Sequence, residues 1–172
     1  MWTAAPMDPR AIFGINTFAS LVSSIVAAVL FAWPWLTNRK REEALLWLVA
    51  PHMFLRFLGL SFLVPGVVAG ALPRAWAMPA ACGDFVAAIL AILASVGLMR
   101  QTTWAIPSVW VFNLWGAADL LIAFFQGVRV QLQPGSLGAG YYLVTDIVPP
   151  LLVSHGLIFR LLLRAGPPSR GS

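Results

Sequence analysis

Two basic residues lie inside a hydrophobic stretch of this sequence that is long enough to cross a bilayer. The stretch covers residues 44–70 and carries His52 and Arg56. A charged side chain at the centre of a bilayer costs at least ~2.5–3.5 kcal/mol on insertion scales. Arg56 should therefore face a partner inside the protein and not lipid. Ionisable residues within membrane segments are by default candidates for a functional site.

Aspartates in three later hydrophobic stretches could supply that partner. A helical rise of ~1.5 Å per residue places Arg56 and these acids roughly 8–12 Å below one face of a bilayer. The predicted layer consists of Arg56, Asp84, Asp119 and Asp146, with Asn16, Asn113 and Tyr142 as hydrogen-bonding neighbours. Three carboxylates and one guanidinium cannot all stay ionised in a dry interior, so the layer should admit water, protons or a cation. Alternatively, Arg56 and the acids form a purely structural clamp.

The two histidines form a second candidate pair. His52 and His155 are each predicted about 12 Å from the other membrane face, and two imidazoles across a bundle could ligate a haem. Asp146 and His155 are nine residues apart, on opposite faces of an ideal helix, so a shift at Pro149 and Pro150 would be needed to turn both inward. In the alternative interpretation, the histidines bond carbonyls freed by proline. No metal-binding spacing occurs, and no metal site is predicted.

The amino-acid composition indicates the class of protein in which these residues lie. Of 172 residues, 60% are hydrophobic and 10% are charged, whereas a soluble domain has roughly 25% charged residues. We expect an all-α integral membrane bundle of five transmembrane helices in a single domain, residues 1–164, with a disordered tail, residues 165–172. The predicted spans are 9–33, 44–70, 77–99, 104–127 and 141–163. The loop 128–140 is expected to cover one end of the bundle.

The basic residues predict an orientation. Counted near the span ends, they favour one side: Arg39, Lys40, Arg41, Arg100, Arg164 and Arg170 against Arg10, Arg74 and Arg129. The helical spans predict a bacterial-type inner membrane or its equivalent. By the positive-inside rule, we expect the N-terminus outside and the C-terminus in the cytoplasm. Aromatic residues agree with this: Trp33, Trp35, Trp47 and Trp104 fall at the inner interface, and Trp2, Trp76, Tyr141 and Tyr142 at the outer one. The dispersed basic residues do not suggest nucleic-acid binding.

These observations support three hypotheses on function. The first is a small ligand-binding or transport protein that takes a cationic or protonatable solute, or an ion, at the Arg56 layer. The second is a b-type haem electron carrier that uses His52 and His155, the only hypothesis with a cofactor. The third is an accessory or scaffolding subunit with structural buried charges. Self-association or a partner membrane subunit fits the small-residue helix faces. An enzyme has little support, because no nucleophile elbow or phosphate-binding loop is present.

Overall fold

The chain folds into a bundle of helices, and the computed structural model describes residues 7–164. Within that range the structure is helical without a strand, and five helices are long and apolar enough to cross a membrane. They are span 1 (Pro9–Thr37), span 2 (Arg41–Leu63), span 3 (Arg74–Met99), span 4 (Ala105–Arg129) and span 5 (Gly140–Leu163). The predicted tail, residues 165–172, and Trp2 lie outside the described residues.

Span 1 lies at the edge of the bundle. Asp8 caps its first turn by accepting a hydrogen bond from the Arg10 amide at 3.0 Å, and Pro9 follows as the first helical residue. No residue of the regular α-helix Pro9–Ala27 is buried. A π-helical turn at Ala28–Ala32 then leads into the last α-helical turns. Span 1 packs mainly on span 5, and most of its surface is not covered by the other spans.

Span 2 changes its helical form around the candidate site. An α-helix ends at Val49, just before Pro51, and Arg56–Leu63 continues as a 3₁₀ helix. The predicted extension of this span to residue 70 is wrong, because the helix ends at Leu63. Gly66 follows with φ at +88°, a left-handed conformation that a helix cannot continue. Gly66 and Gly70 are exposed in the segment that connects spans 2 and 3.

Span 3 is the centre of the bundle, and its buried face is built from small side chains. Ala80, Ala87, Ala88, Ala91 and Ser95 are all buried. Spans 2 and 4 pack closely on this face. Small residues let helix backbones approach one another, which is how membrane helices gain packing energy.

Loops and side chains pack against the two ends of the bundle. The segment after span 4 folds back as predicted: Leu137 is fully buried, and the Ala69 and Ala139 amides donate to the carbonyls of Ser136 and Val67. At the other end, the Arg41 guanidinium donates to the Leu161 and Leu162 carbonyls at 3.0 and 2.6 Å. These bonds satisfy carbonyls left free at the end of span 5.

Candidate functional site

Arg56 lies inside the bundle, where it meets two of the three predicted acids. Its side chain is fully buried, and its Nη1 donates to Asp84 Oδ1 and, at 3.1 Å, to Asp119 Oδ2. Spans 2, 3 and 4 each contribute one member of this ion cluster. The expectation that Arg56 is met by acids from neighbouring spans is confirmed for Asp84 and Asp119.

The second terminal nitrogen of Arg56 is bound to spans 4 and 5. Its Nη2 donates to the Gly116 carbonyl at 2.5 Å and lies 3.4 Å from His155 Nε2. The Arg56 Nε is buried without a protein partner among residues 7–164. The guanidinium is thereby fixed by four residues on three other helices, which orients both carboxylates.

Glycines allow these charged groups to come together. A Cβ at Gly59 would overlap the Asp84 carboxylate, and a Cβ at Gly83 would overlap that of Asp119. At Gly116, a Cβ would lie 2.6 Å from His155 Cε1 and 2.9 Å from Arg56 Nη2. The cluster therefore occupies helix-crossing points where only glycine leaves room for the polar side chains.

A second group of polar side chains continues from Arg56 toward span 5. Asn113 Nδ2 donates to the His155 carbonyl at 3.2 Å, and His155 Nδ1 donates to Asn113 Oδ1 at 2.7 Å. With Nδ1 as the donor, His155 Nε2 is left to accept from Arg56. The Ser154 hydroxyl donates a hydrogen bond to the Leu151 carbonyl. Its oxygen must therefore accept in its contact with His52, so His52 Nε2 donates to Ser154 Oγ at 2.7 Å.

The histidine pair does not fit haem ligation. The rings of His52 and His155 contact one another, with centroids 4.6 Å apart and planes at 55°. Axial ligands bind from opposite faces of a haem, so the macrocycle would have to lie between the two rings. Phe112 also packs against both imidazoles, at 5.1 and 5.2 Å between centroids. The shared depth of the two histidines was predicted correctly, but their contact leaves no space for a macrocycle.

Three of the predicted site residues lie away from Arg56. Asp146 is exposed; it accepts hydrogen bonds from Thr145 Oγ1 at 2.6 Å and from Asn16 Nδ2 at 3.4 Å. Tyr142 is 68% exposed. Span 5 turns His155 inward and Asp146 outward, as expected for two residues on opposite helix faces. The structure therefore does not bring Asp146, or the predicted neighbours Asn16 and Tyr142, to the layer at Arg56.

A cavity of about 340 Å³ begins at the two carboxylates that bind Arg56. It runs toward the end of the bundle formed by the start of span 1 and the loop after span 4. All five spans contribute to its walls. Its lining includes Asp84, Asp119, Phe13, Phe62, Trp76, Ala80, Leu120, Ala123, Phe124, Val144 and Val148, with Arg10, Gln131 and Pro134 at the outer end. This volume is within the range of small-molecule pockets, which are concave and mostly apolar with a few polar groups.

Trp76 forms a wall of this cavity, and its ring faces the interior of the bundle. It is 3% exposed, its Nε1 donates to the Ala123 carbonyl at 2.9 Å, and its ring packs edge-on against Phe62 at 5.0 Å. The aromatic lining was missed from the sequence. A signal was nevertheless present, because Trp76 and Ala80 precede Asp84 at four-residue steps and so lie on the same helix face.

No group of three or more histidine, cysteine or acidic residues in the described range could hold a metal ion. The fold and the cluster define a five-helix protein of membrane-spanning type, with one buried guanidinium, two carboxylates and an adjoining apolar cavity.

Residues 12–163 match a family described as a domain of unknown function, DUF8737, and the chain belongs to this family. No curated protein and no solved structure matches the chain.

Proposed function

We propose that the chain is a small membrane protein that binds, and in a transport cycle would carry, an organic cation or a protonatable amine in the cavity next to Arg56. The observation behind this proposal is the position of Asp84 and Asp119, which share one guanidinium at the inner end of an aromatic-lined cavity. Intramembrane ionisable groups that face a cavity are typical of substrate and ion sites.

The charge of the cluster favours a single positive charge on the ligand. Two ionised carboxylates and one guanidinium leave a net charge of −1, which a monocation or a proton would neutralise. Asp119 is the better counter-ion, because its side chain is 13% exposed and Arg56 binds it at the longer distance. Asp84 is the principal partner of Arg56 and should remain paired when a ligand binds.

The cavity lining favours an organic cation over an inorganic ion. Hard metal cations need about six oxygen ligands, whereas most of this lining is aliphatic or aromatic. Phe13, Phe62, Trp76 and Phe124 offer apolar contact area, and aromatic rings attract cations. The ligand class that matches both features is an amine or quaternary ammonium with an apolar body.

We further propose that the cavity opens to the outside of a bacterial-type inner membrane. The six basic residues counted on the inner side against three on the outer support a cytoplasmic C-terminus. In this orientation Arg10 and Gln131 lie at the outer mouth of the cavity. The site would then draw its ligand from the extracytoplasmic space or the outer leaflet.

Titration calorimetry in detergent with a phenylpropyl trimethylammonium probe tests the proposal. Asp119→Asn should weaken binding by roughly 30-fold or more, because loss of one partner of a desolvated charge pair costs at least ~2 kcal/mol. Asp146→Asn is the matched control: it also removes one carboxylate from a span, but this carboxylate is exposed and does not line the cavity. If both variants and the parent bind the probe equally, the ion cluster would only be a structural clamp that holds the spans together.

A further inference from the structure

Arg160 and Arg164 form a pair of cations at the cytoplasmic end of the proposed orientation. Their guanidinium carbons lie 3.9 and 4.8 Å from the centroid of the same indole ring, Trp33 of span 1. Neither arginine forms an ion pair with an acid among residues 7–164. Two of the neighbouring basic residues are already engaged: Arg39 with Glu43, and Arg41 with the carbonyls that end span 5.

An apolar groove lies next to this arginine pair. It has a volume of about 600 Å³ and runs between spans 1, 2 and 5. Val153 and Leu157 line it, and Arg160 and Arg164 continue the same stripe of span 5 at helical spacing. The groove wall of span 5 therefore leads directly to the two guanidiniums.

The irregular part of span 1 forms the opposite wall of the groove. Ala28, Phe31 and Ala32 belong to the π-helical turn, and all three line the groove. Trp33 follows this turn directly, and its indole ring contacts the two arginines. Short π-helical segments are frequent at functional sites, because the extra residue changes which side chains face a neighbour. Here the turn presents Ala28, Phe31 and Ala32 to the groove, and Trp33 directly after it contacts the cations.

We propose that this groove binds one anionic phospholipid, with its phosphate between Arg160 and Arg164 and an acyl chain along the groove. Two guanidiniums on one indole repel each other, and a phosphate would bind both through charge-assisted hydrogen bonds. Basic pockets between membrane helices on the cytoplasmic side are suited to anionic headgroups. The site shares no lining residue with the cavity at Asp119, so it stands independently of the proposed ligand.

Native mass spectrometry of the delipidated full chain tests the site, with phosphatidylglycerol and phosphatidylcholine of the same acyl chains as probes. Phosphatidylglycerol should bind more tightly than phosphatidylcholine. The double variant Arg160→Gln, Arg164→Gln should lose roughly 30-fold in affinity for it, about fivefold for each arginine. The matched control Lys40→Gln, Arg100→Gln removes two exposed charges at the same end and should bind as the parent does.

A second pair of variants tests the groove itself. Ala27→Trp fills part of the groove and should reduce phosphatidylglycerol binding, whereas Val26→Trp, at an exposed position outside the groove, should not. Equal binding of the two lipids, or unchanged binding after loss of both arginines, would overturn the proposal. Full displacement of phosphatidylglycerol by inorganic phosphate would overturn the proposal as well, because the groove would then contribute nothing to the affinity for the lipid.

Discussion

The Asp119 carboxylate of span 4 lies directly against Gly83 of span 3, so close that a Cβ at position 83 would overlap it. Asp84 has the same relationship to Gly59 of span 2. The carboxylate of each acid that binds Arg56 therefore packs against a glycine of an adjacent helix. The positions of the carboxylates depend on these helix contacts as much as on the ion pairs.

Substitution of Gly83 should move the Asp119 carboxylate. Gly83→Ala places a methyl group where that carboxylate lies, so the carboxylate must rotate away from Arg56 or the two helices must separate. We expect weaker binding of the trimethylammonium probe and a lower melting temperature in detergent. Gly156→Ala is the control, because a Cβ there meets no atom within 4 Å, and it should not lower stability. Unchanged probe binding by Gly83→Ala would show that packing of the Asp119 carboxylate against Gly83 does not affect ligand binding.

Removal of the guanidinium should destabilise the bundle strongly. Arg56→Met leaves Asp84 and Asp119 without their cation, and breaking a buried ion pair on one side costs about 3–5 kcal/mol. Unfolding of the parent and the variant in a denaturing-detergent titration measures this loss. The triple variant with Asp84→Asn and Asp119→Asn should regain most of the stability, because no charge then stays unpaired. A triple variant as unstable as Arg56→Met would argue that Arg56 acts through packing and not through charge.

Asn113 should stabilise the bundle through His155. Its amide both accepts from and donates to this residue, at 2.7 and 3.2 Å, and both side chains are buried. Asn113→Leu would leave the His155 imidazole N–H without its acceptor, at a cost of about 1–3 kcal/mol for a buried group. Ser108→Ala is the control on the same span, since the Ser108 hydroxyl bonds only the carbonyl of Ala105 in its own helix. Equal stability of the two variants would contradict the role given to Asn113.

Trp76 should report on the cavity. Its ring is part of the lining, so binding of the trimethylammonium probe should change the tryptophan emission of the protein. We expect Trp76→Phe to abolish most of this change. Trp47→Phe should preserve it, because Trp47 is 58% exposed and lies outside the cavity lining. A ligand-dependent signal that survives in Trp76→Phe would place the probe elsewhere.

The sequence predicts the class of fold and the main partners of Arg56 because both follow from the cost of exposing polar groups to lipid. Five hydrophobic segments imply five helices, and a guanidinium inside one of them requires acids from the others. Helical rise alone gave the right depth for Asp84 and Asp119. It also gave a similar depth for Asp146, which faces outward next to Asn16.

The error at Asp146 arises because depth along a helix does not determine which face of the helix a residue lies on. A span presents only one face to the interior, and on span 5 that face carries His155. Nine residues separate the two side chains, and the helix does not rotate enough at Pro149 and Pro150 to turn both inward. The aromatic lining of the cavity was missed for a related reason: the cavity walls come from all five spans, and the relative rotation of the spans follows from packing that no single segment encodes.

The central claim is that the cavity recognises positive charge through Asp119. The most direct measurement compares the affinity of phenylpropyl trimethylammonium with that of its neutral isostere, in which a carbon replaces the nitrogen, for the parent protein and for Asp119→Asn. We expect the parent to prefer the cation by at least roughly tenfold, and the variant to bind both probes about equally. Equal affinity of the parent for the two probes, or a preference that persists in Asp119→Asn, would contradict the claim.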